Sequence, residues 1–181
     1  MEIDNFNFDQ NYFDLFGLPA SCELDEATLR ESFMSMQRQY HPDRFAAASD
    51  AVRRRAVQIA SHINSAHQTL QVPLHRAEYC LKLAGLDTDV ETDTKMDPMF
   101  LMQQMELRES LEDVSSSAKP FDALDDVRDE IDGLVHTTSK EAAALLADEK
   151  FDEARDCVRR WQFLEKLASE ANSLEAQLDE A

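Results

Sequence analysis

The sequence predicts an all-α protein: a helical hairpin near the N-terminus, followed by an antiparallel three-helix bundle. Three observations predict it. Only 3 Gly and 5 Pro interrupt 181 residues, a scarcity that suits long helices joined by few turns. Apolar residues recur at steps of three and four almost throughout, while the period-two alternation of strands is nearly absent. Hydrophobic residues make up 43% of the chain, enough for packed cores.

The elements follow in order. Tyr12, Phe13, Leu15, Phe16 and Leu18 form a short apolar cluster ending at Gly17-Leu18-Pro19, which reads as one or two helical turns. Asp25 can cap the next helix. Its stripe is Leu29, Phe33, Met36 and Tyr40, and it should stop near His41, because the residue before Pro42 is pushed out of the α region. A third helix is expected from about Ser49 to Gln71, with the stripe Val52, Ala56, Ile59, Ile63, Ala66 and Leu70. Two such helices joined by a short loop form an antiparallel hairpin. Pro73 ends it, a short helix over His75–Leu83 follows, and Gly85 stops that helix.

These elements set a first domain at 11–84. Residues 85–96 read as an acidic linker, and residues 97–181 as the bundle. Its helices are expected at roughly 98–115, from Phe121 towards Asp148 with Gly133–Thr138 as the place where it would break, and from Phe151 to Leu178. Short loops between three helices imply antiparallel packing.

Charge narrows the partners. The formal net charge is −19, unevenly spread: residues 11–84 hold 8 acidic and 8 basic side chains, while residues 94–181 hold 22 acidic and 10 basic. Such a chain is repelled by phosphate backbones and anionic lipid, so neither nucleic acid nor membrane is an expected partner. The N-terminal MEIDNFNFDQ lacks the basic start and apolar run of a secretory signal, and no apolar run of about 18 residues is present. Cys22, Cys80 and Cys157 are scattered and form no CxxC pair, so neither a disulfide framework nor a zinc site is expected. A reducing cytoplasm fits this pattern.

The hairpin loop reads Tyr40-His41-Pro42-Asp43-Arg44-Phe45, after an arm carrying Arg30 and Arg38. Asp43 offers a carboxylate able to accept a forked pair of hydrogen bonds from an arginine. Pro42 fixes the loop at low entropy cost, and His41 can donate or accept. The tripeptide could be only a helix-stopping turn. Its setting decides: a short aromatic helix before the hairpin, and Ile63-Asn64-Ser65-Ala66-His67-Gln68-Thr69-Leu70 closing it. This region resembles a J-domain. The resemblance implies docking on an HscA/DnaK-type ATP-driven chaperone and stimulation of its ATPase, with His41, Pro42, Asp43, Arg30, Arg38 and Arg44 as contacts. Arg44 stands where that family often has lysine, a change that keeps the positive charge.

The rest of the chain narrows the family. Phe16-Gly17-Leu18-Pro19, Arg76-Ala77-Glu78-Tyr79, the stretch PMFLMQQMELRESLED over 98–113, and Arg160-Trp161-Gln162-Phe163-Leu164-Glu165-Lys166-Leu167 together resemble HscB-type J-domain co-chaperones of iron–sulfur cluster assembly. At about 100° per residue, Phe100, Leu107, Leu111 and Val114 share one side of their helix, the natural core stripe. Leu101, Met102, Met105, Glu106, Glu109 and Asp113 fall on the flank and the opposite side. Three apolar residues there exceed what a surface helix needs, and flexible methionines ringed by carboxylates suit a partner surface. The competing reading buries both apolar sides between neighbouring helices. Phe163 lies about 200° from Trp161 around its own helix. By resemblance, Leu101, Met102, Met105, Glu106, Glu109, Asp113 and Phe163 form the face that binds an IscU-type iron–sulfur scaffold. Met105 stands where a leucine is common.

Other constellations carry less. Asp125-Asp126-Val127-Arg128-Asp129 has the spacing of a magnesium-binding motif of prenyl-transferring enzymes. That chemistry needs two facing clusters, and there is one. Arg53-Arg54-Arg55 reads as a solvated helix face, and His62 and His67 as structural residues. No phosphate loop or nucleophile arrangement is present. The expectation is therefore a co-chaperone and not an enzyme, with no metal or cofactor. A general J-domain protein serving protein folding is the first alternative and a magnesium-dependent prenyl transferase the second.

Overall fold

The computed structural model describes residues 2–88 and 97–180, and the regular structure of the described residues is all helical, with no strand among them. The expected acidic linker 85–96 lies largely outside the described residues, since 89–96 are not among them. The chain divides into two compact units, Met1–Cys80 and Leu81–Ala181. No described helix is long and apolar enough to cross a membrane.

In the first unit α1 spans Tyr12–Phe16, α2 Glu26–Tyr40 and α3 Asp50–Gln71, and α4 runs over Pro73–Leu83. Asn11 caps α1 by accepting from the Asp14 amide at 2.9 Å. Gly17 ends α1 at φ 67, a left-handed conformation that costs glycine nothing. Asp25 caps α2, accepting from the Ala27 amide at 3.0 Å and from the Thr28 hydroxyl at 2.6 Å. Those bonds favour its charged form and hold its carboxyl below the usual range. Ser49 caps α3. The α3 stripe Ala56, Ile59, Ile63, Ala66 and Leu70 is fully buried, and Leu29 of α2 joins it. Phe33, Met36 and Tyr40 pack on its margin. Gln37 donates to Asn64 across the hairpin at 3.2 Å.

Arg76 is buried in α4 and donates to the Leu70 carbonyl at 2.6 Å and the Cys22 carbonyl at 2.7 Å. It satisfies an acceptor at the end of α3 that the helix itself cannot. The Tyr79 hydroxyl accepts from the Tyr12 amide at 3.0 Å, and the two rings stack at 4.6 Å. The Arg76–Tyr79 stretch is thus a brace between α4, α1 and the end of α3.

In the second unit α5 spans Pro98–Val114, α6 Pro120–Ala147 and α7 Phe151–Asp179. They form the expected three-helix bundle around Leu107, Leu111, Val114, Leu124, Val127, Ile131, Leu164, Leu167 and Ala171. One expectation fails: α6 is unbroken through Gly133–Thr138. Its buried stripe continues through Ile131, Thr138, Ala142 and Leu146, so packing carries the helix past the glycine. The Thr137 hydroxyl donates to the Gly133 carbonyl at 2.9 Å, which satisfies the residue within the helix.

One further expectation changes. Arg53-Arg54-Arg55 is not uniformly solvated: Arg55 donates to the carbonyls of Ile3 at 2.8 Å, and of Asp4 and Phe6 at 3.3 Å. Cys22 and Cys80, distant in sequence, are neighbours in the fold. Burial pushes the Cys80 thiol up to about 11, the nearby Cys22 adds to that push, and Arg76 opposes it. Cys157 is likewise raised to about 11 by burial. Thiols raised in this way are poor nucleophiles at neutral pH.

Candidate functional site

Two exposed surfaces collect the residues singled out in the sequence, one in each unit. The first is the turn after α2. The backbone of His41 leaves the helix at φ −58, ψ 129, and Pro42–Phe45 form a single 3₁₀ turn. The Asp43 amide donates to His41 Nδ1 at 3.3 Å and the Arg44 amide to the His41 carbonyl at 3.0 Å. His41 Nδ1 stands 3.6 Å from Asp43 Oδ2. The turn is thereby pre-shaped, yet the His41 side chain is 56% exposed and that of Asp43 90% exposed. An exposed carboxylate on a fixed turn can receive a guanidinium without rearranging.

Arg44 has an internal task. Its Nη1 donates to the Arg38 carbonyl at 2.9 Å and the Gln39 carbonyl at 3.2 Å. It therefore closes the C-terminus of α2, where a cation also complements the helix dipole. Arg30 and Arg38 are exposed and lie about 80° apart around α2. Met34 sits midway between them and is 42% exposed. The sequence reading missed it, because it followed only the core stripe of α2.

The second surface is on α5. Phe100, Leu107, Leu111 and Val114 are buried, while Leu101, Met102 and Met105 are 43%, 62% and 72% exposed. The reading that buried both sides of this helix is excluded. Glu106, Glu109 and Asp113 are exposed beside them. Met99, not singled out in the sequence, is 76% exposed and extends the same strip, since it is one turn from Met102. A shallow cavity lined by Met99, Phe100, Met102, Gln103, Glu106 and Arg160 opens along it. Phe163 is less open than its helical angle suggests. It is partly buried, edge-on to Phe100 at 5.8 Å, with the Arg108 guanidinium 5.4 Å from its ring centre. Trp161 of the same helix is core, and its indole N–H donates to Glu165 at 3.0 Å.

Among the described residues no group of three or more His, Cys, Asp or Glu side chains is arranged to hold a metal ion. The Asp125–Glu130 run gives its one arginine to other work: Arg128 donates to Glu175 at 2.6 Å and to Asn172 at 2.8 Å.

Known proteins match this chain over nearly its whole length. Residues 96–172 match the family described as the HSCB C-terminal oligomerisation domain. The chain is 45% identical over 168 residues to the "Co-chaperone protein HscB homolog" of Aliivibrio salmonicida, covering 93% of this chain and 98% of that one. It is similar to the solved structure of the chaperone HscB from Vibrio cholerae, with TM-score 0.84 and 43% identity over 93% of this chain and 99% of that one. The crystal structure of human co-chaperone protein HscB shares the fold at TM-score 0.87 with 24% identity, covering 94% of this chain and 84% of the human one.

Proposed function

This chain belongs to the HscB family of co-chaperones, and we propose that it couples an HscA/DnaK-type ATP-driven chaperone to an IscU-type iron–sulfur scaffold. The first unit is the J-domain of this pair of tasks. Its turn His41-Pro42-Asp43 docks on the chaperone and stimulates ATP hydrolysis, with Arg30 and Arg38 steering the approach towards an acidic surface. Arg44 contributes by holding the turn, and Met34 offers an apolar contact between the two steering arginines. The bundle holds the scaffold through Leu101, Met102 and Met105, with Glu106, Glu109 and Asp113 as the polar rim and Phe163 at the edge. The chain performs no chemistry of its own in this reading; the iron–sulfur cluster travels with the scaffold.

The observation that carries the proposal is the exposure of Leu101, Met102 and Met105 opposite a complete core stripe on the same helix. A soluble helix already supplied with its core has no folding reason to present three large apolar side chains together. The polar rim around an apolar centre is the anatomy of a protein interface.

The test is the chaperone's ATPase rate with this chain alone, with scaffold alone, and with both. Stimulation by the chain alone, raised further by scaffold, is the expected result. Stimulation without scaffold binding would move the chain to the general folding co-chaperones. No stimulation under any condition would remove the J-domain reading.

A further inference from the structure

Residues 2–9 precede the hairpin and carry no helical periodicity, yet they are built into the first unit. Glu2–Asn5 form one 3₁₀ turn. Ile3 and Phe6 are buried at 1% and 8% exposure, in one core with α1, α2 and α3. The segment is held at two levels. Its backbone is clasped by Arg55 of α3, whose Nε and Nη2 reach three carbonyls, those of Ile3, Asp4 and Phe6. Its rings close over α3: Phe8 lies 4.8 Å from Phe6 and 5.3 Å from His62, beneath the Arg55 guanidinium at 5.5 Å.

A further contact reaches the end of α2. The Phe6 ring meets Tyr40 edge-on at 5.3 Å. Tyr40 is the last residue of α2 and the residue before His41. A packed aromatic there limits the swing of the helix end from which the turn departs. The turn's own hydrogen bonds, from the Asp43 and Arg44 amides back to His41, hold only if His41 keeps its place. Arg44 grips the same helix end through its carbonyls, so strap and arginine secure it together.

We propose that residues 2–9 are a strap that positions the His41–Asp43 turn, with Phe6 as the positioning residue acting through Tyr40 and Arg55 as its clasp. Its effect on the chaperone rests on the docking reading above; its effect on the turn does not.

The experiment compares Phe6→Ala and Arg55→Lys with the unaltered chain, measuring exchange of the Asp43 and Arg44 amides with water by NMR. Arg55→Lys keeps the charge but loses the fork that reaches several carbonyls at once, and it is mild enough to fold if Phe6→Ala is not. Leu15→Ala is the control, a truncation in α1 of the same core. Exchange at Asp43 and Arg44 should rise roughly two- to tenfold in both strap variants, the range set by the loss of an aromatic pair. It should not rise in the control beyond the general increase seen at other amides. The chaperone concentration giving half-maximal stimulation should rise by a similar factor, with the maximal rate kept. Unchanged exchange in both strap variants would overturn the proposal. So would an equal rise in Leu15→Ala, which would reduce the strap to general stability. If the unaltered chain fails to stimulate the chaperone, the docking reading falls and the exchange result still decides the strap.

Discussion

Between the turn after α2 and the outer face of α5, the source of binding energy that the proposed function calls on changes. The turn offers polar groups in a fixed shape: an exposed carboxylate, an imidazole and nearby guanidinium groups, secured by hydrogen bonds to the end of a helix. In the proposed docking its affinity would come from a few directional, charge-assisted bonds. The α5 face offers area. Leu101, Met102 and Met105 have no shape fixed by hydrogen bonds, and in the proposed scaffold binding their affinity would come from apolar surface removed from water, at about 25 cal/mol per Å². The first surface should therefore fail all at once when one atom changes. The second should fail in proportion to the area removed.

The largest expected effect is at the turn. Asp43→Asn or His41→Gln should lower stimulation of the chaperone ATPase at least thirtyfold, the order of about 2 kcal/mol or more for a lost charge-assisted pair. Melting should move by no more than about 0.5 kcal/mol, because both side chains are exposed. ATPase rates and thermal melts on the same preparations check this. Normal stimulation by a folded variant would remove the contrast between the two surfaces.

The α5 face is tested by comparing its two sides. Changing Leu101, Met102 and Met105 to Ala together should weaken scaffold binding about tenfold or more, with melting almost unmoved. Leu107→Ala, on the core stripe at 2% exposure, should do the reverse at the level of stability and cost about 2–5 kcal/mol. Titration calorimetry and melting curves separate the two. A collapse in melting temperature for the triple variant would put the strip in the core. Full scaffold affinity with an intact fold would remove its assignment as the binding face.

The same contrast explains what was legible in the sequence. The α5 stripe could be read because a helix imposes a fixed angle per residue, so four core positions and three surplus ones separate on paper. The turn could be read because Pro42 stops a helix and leaves His41 and Asp43 outside it. The strap was not legible. Ile3, Phe6 and Phe8 stand among Asp and Asn residues with no period, and their burial depends on contacts with α3 about 50 positions away. Arg55 was hidden for the same reason, because in a run of three arginines nothing local marks the one with distant acceptors. The continuity of α6 past Gly133 came from tertiary packing that overrode a weak local signal. The nearness of Cys22 and Cys80 is a property of how α4 folds back.

The smallest effect sharpens the comparison between the units themselves. His62 and His67 lie in the first unit. His62 is ringed by Phe6, Phe8 and Tyr12 at 5.3–5.8 Å, and its Nε2 is buried with no hydrogen-bond partner among the described residues. His67 stacks on Phe33 at 3.8 Å. Burial disfavours the charged imidazolium, so both are pushed below the ordinary value of 6.5. The sign follows from which state binds protons more readily. In the unfolded chain these histidines protonate near 6.5, before the folded ones do, so the unfolded state gains protons first as the pH falls. The stability they leave intact above about 6.5 is lost progressively as the pH drops below it, until the folded forms also protonate. The bundle has no counterpart to this cage among its described residues, and its one histidine, His136, is exposed. Acidification from pH 7.5 to 5.5 should therefore lower the melting temperature of the first unit more than that of the bundle, by less than a core truncation such as Leu107→Ala does. His62→Phe should flatten part of that dependence, since a neutral ring keeps the aromatic cage and removes the titrating group. Residue-resolved NMR melts, reading α3 amides against α7 amides, check the prediction. An equal loss in both units, or a pH dependence untouched in His62→Phe and His67→Phe alike, would show that these two histidines do not set it.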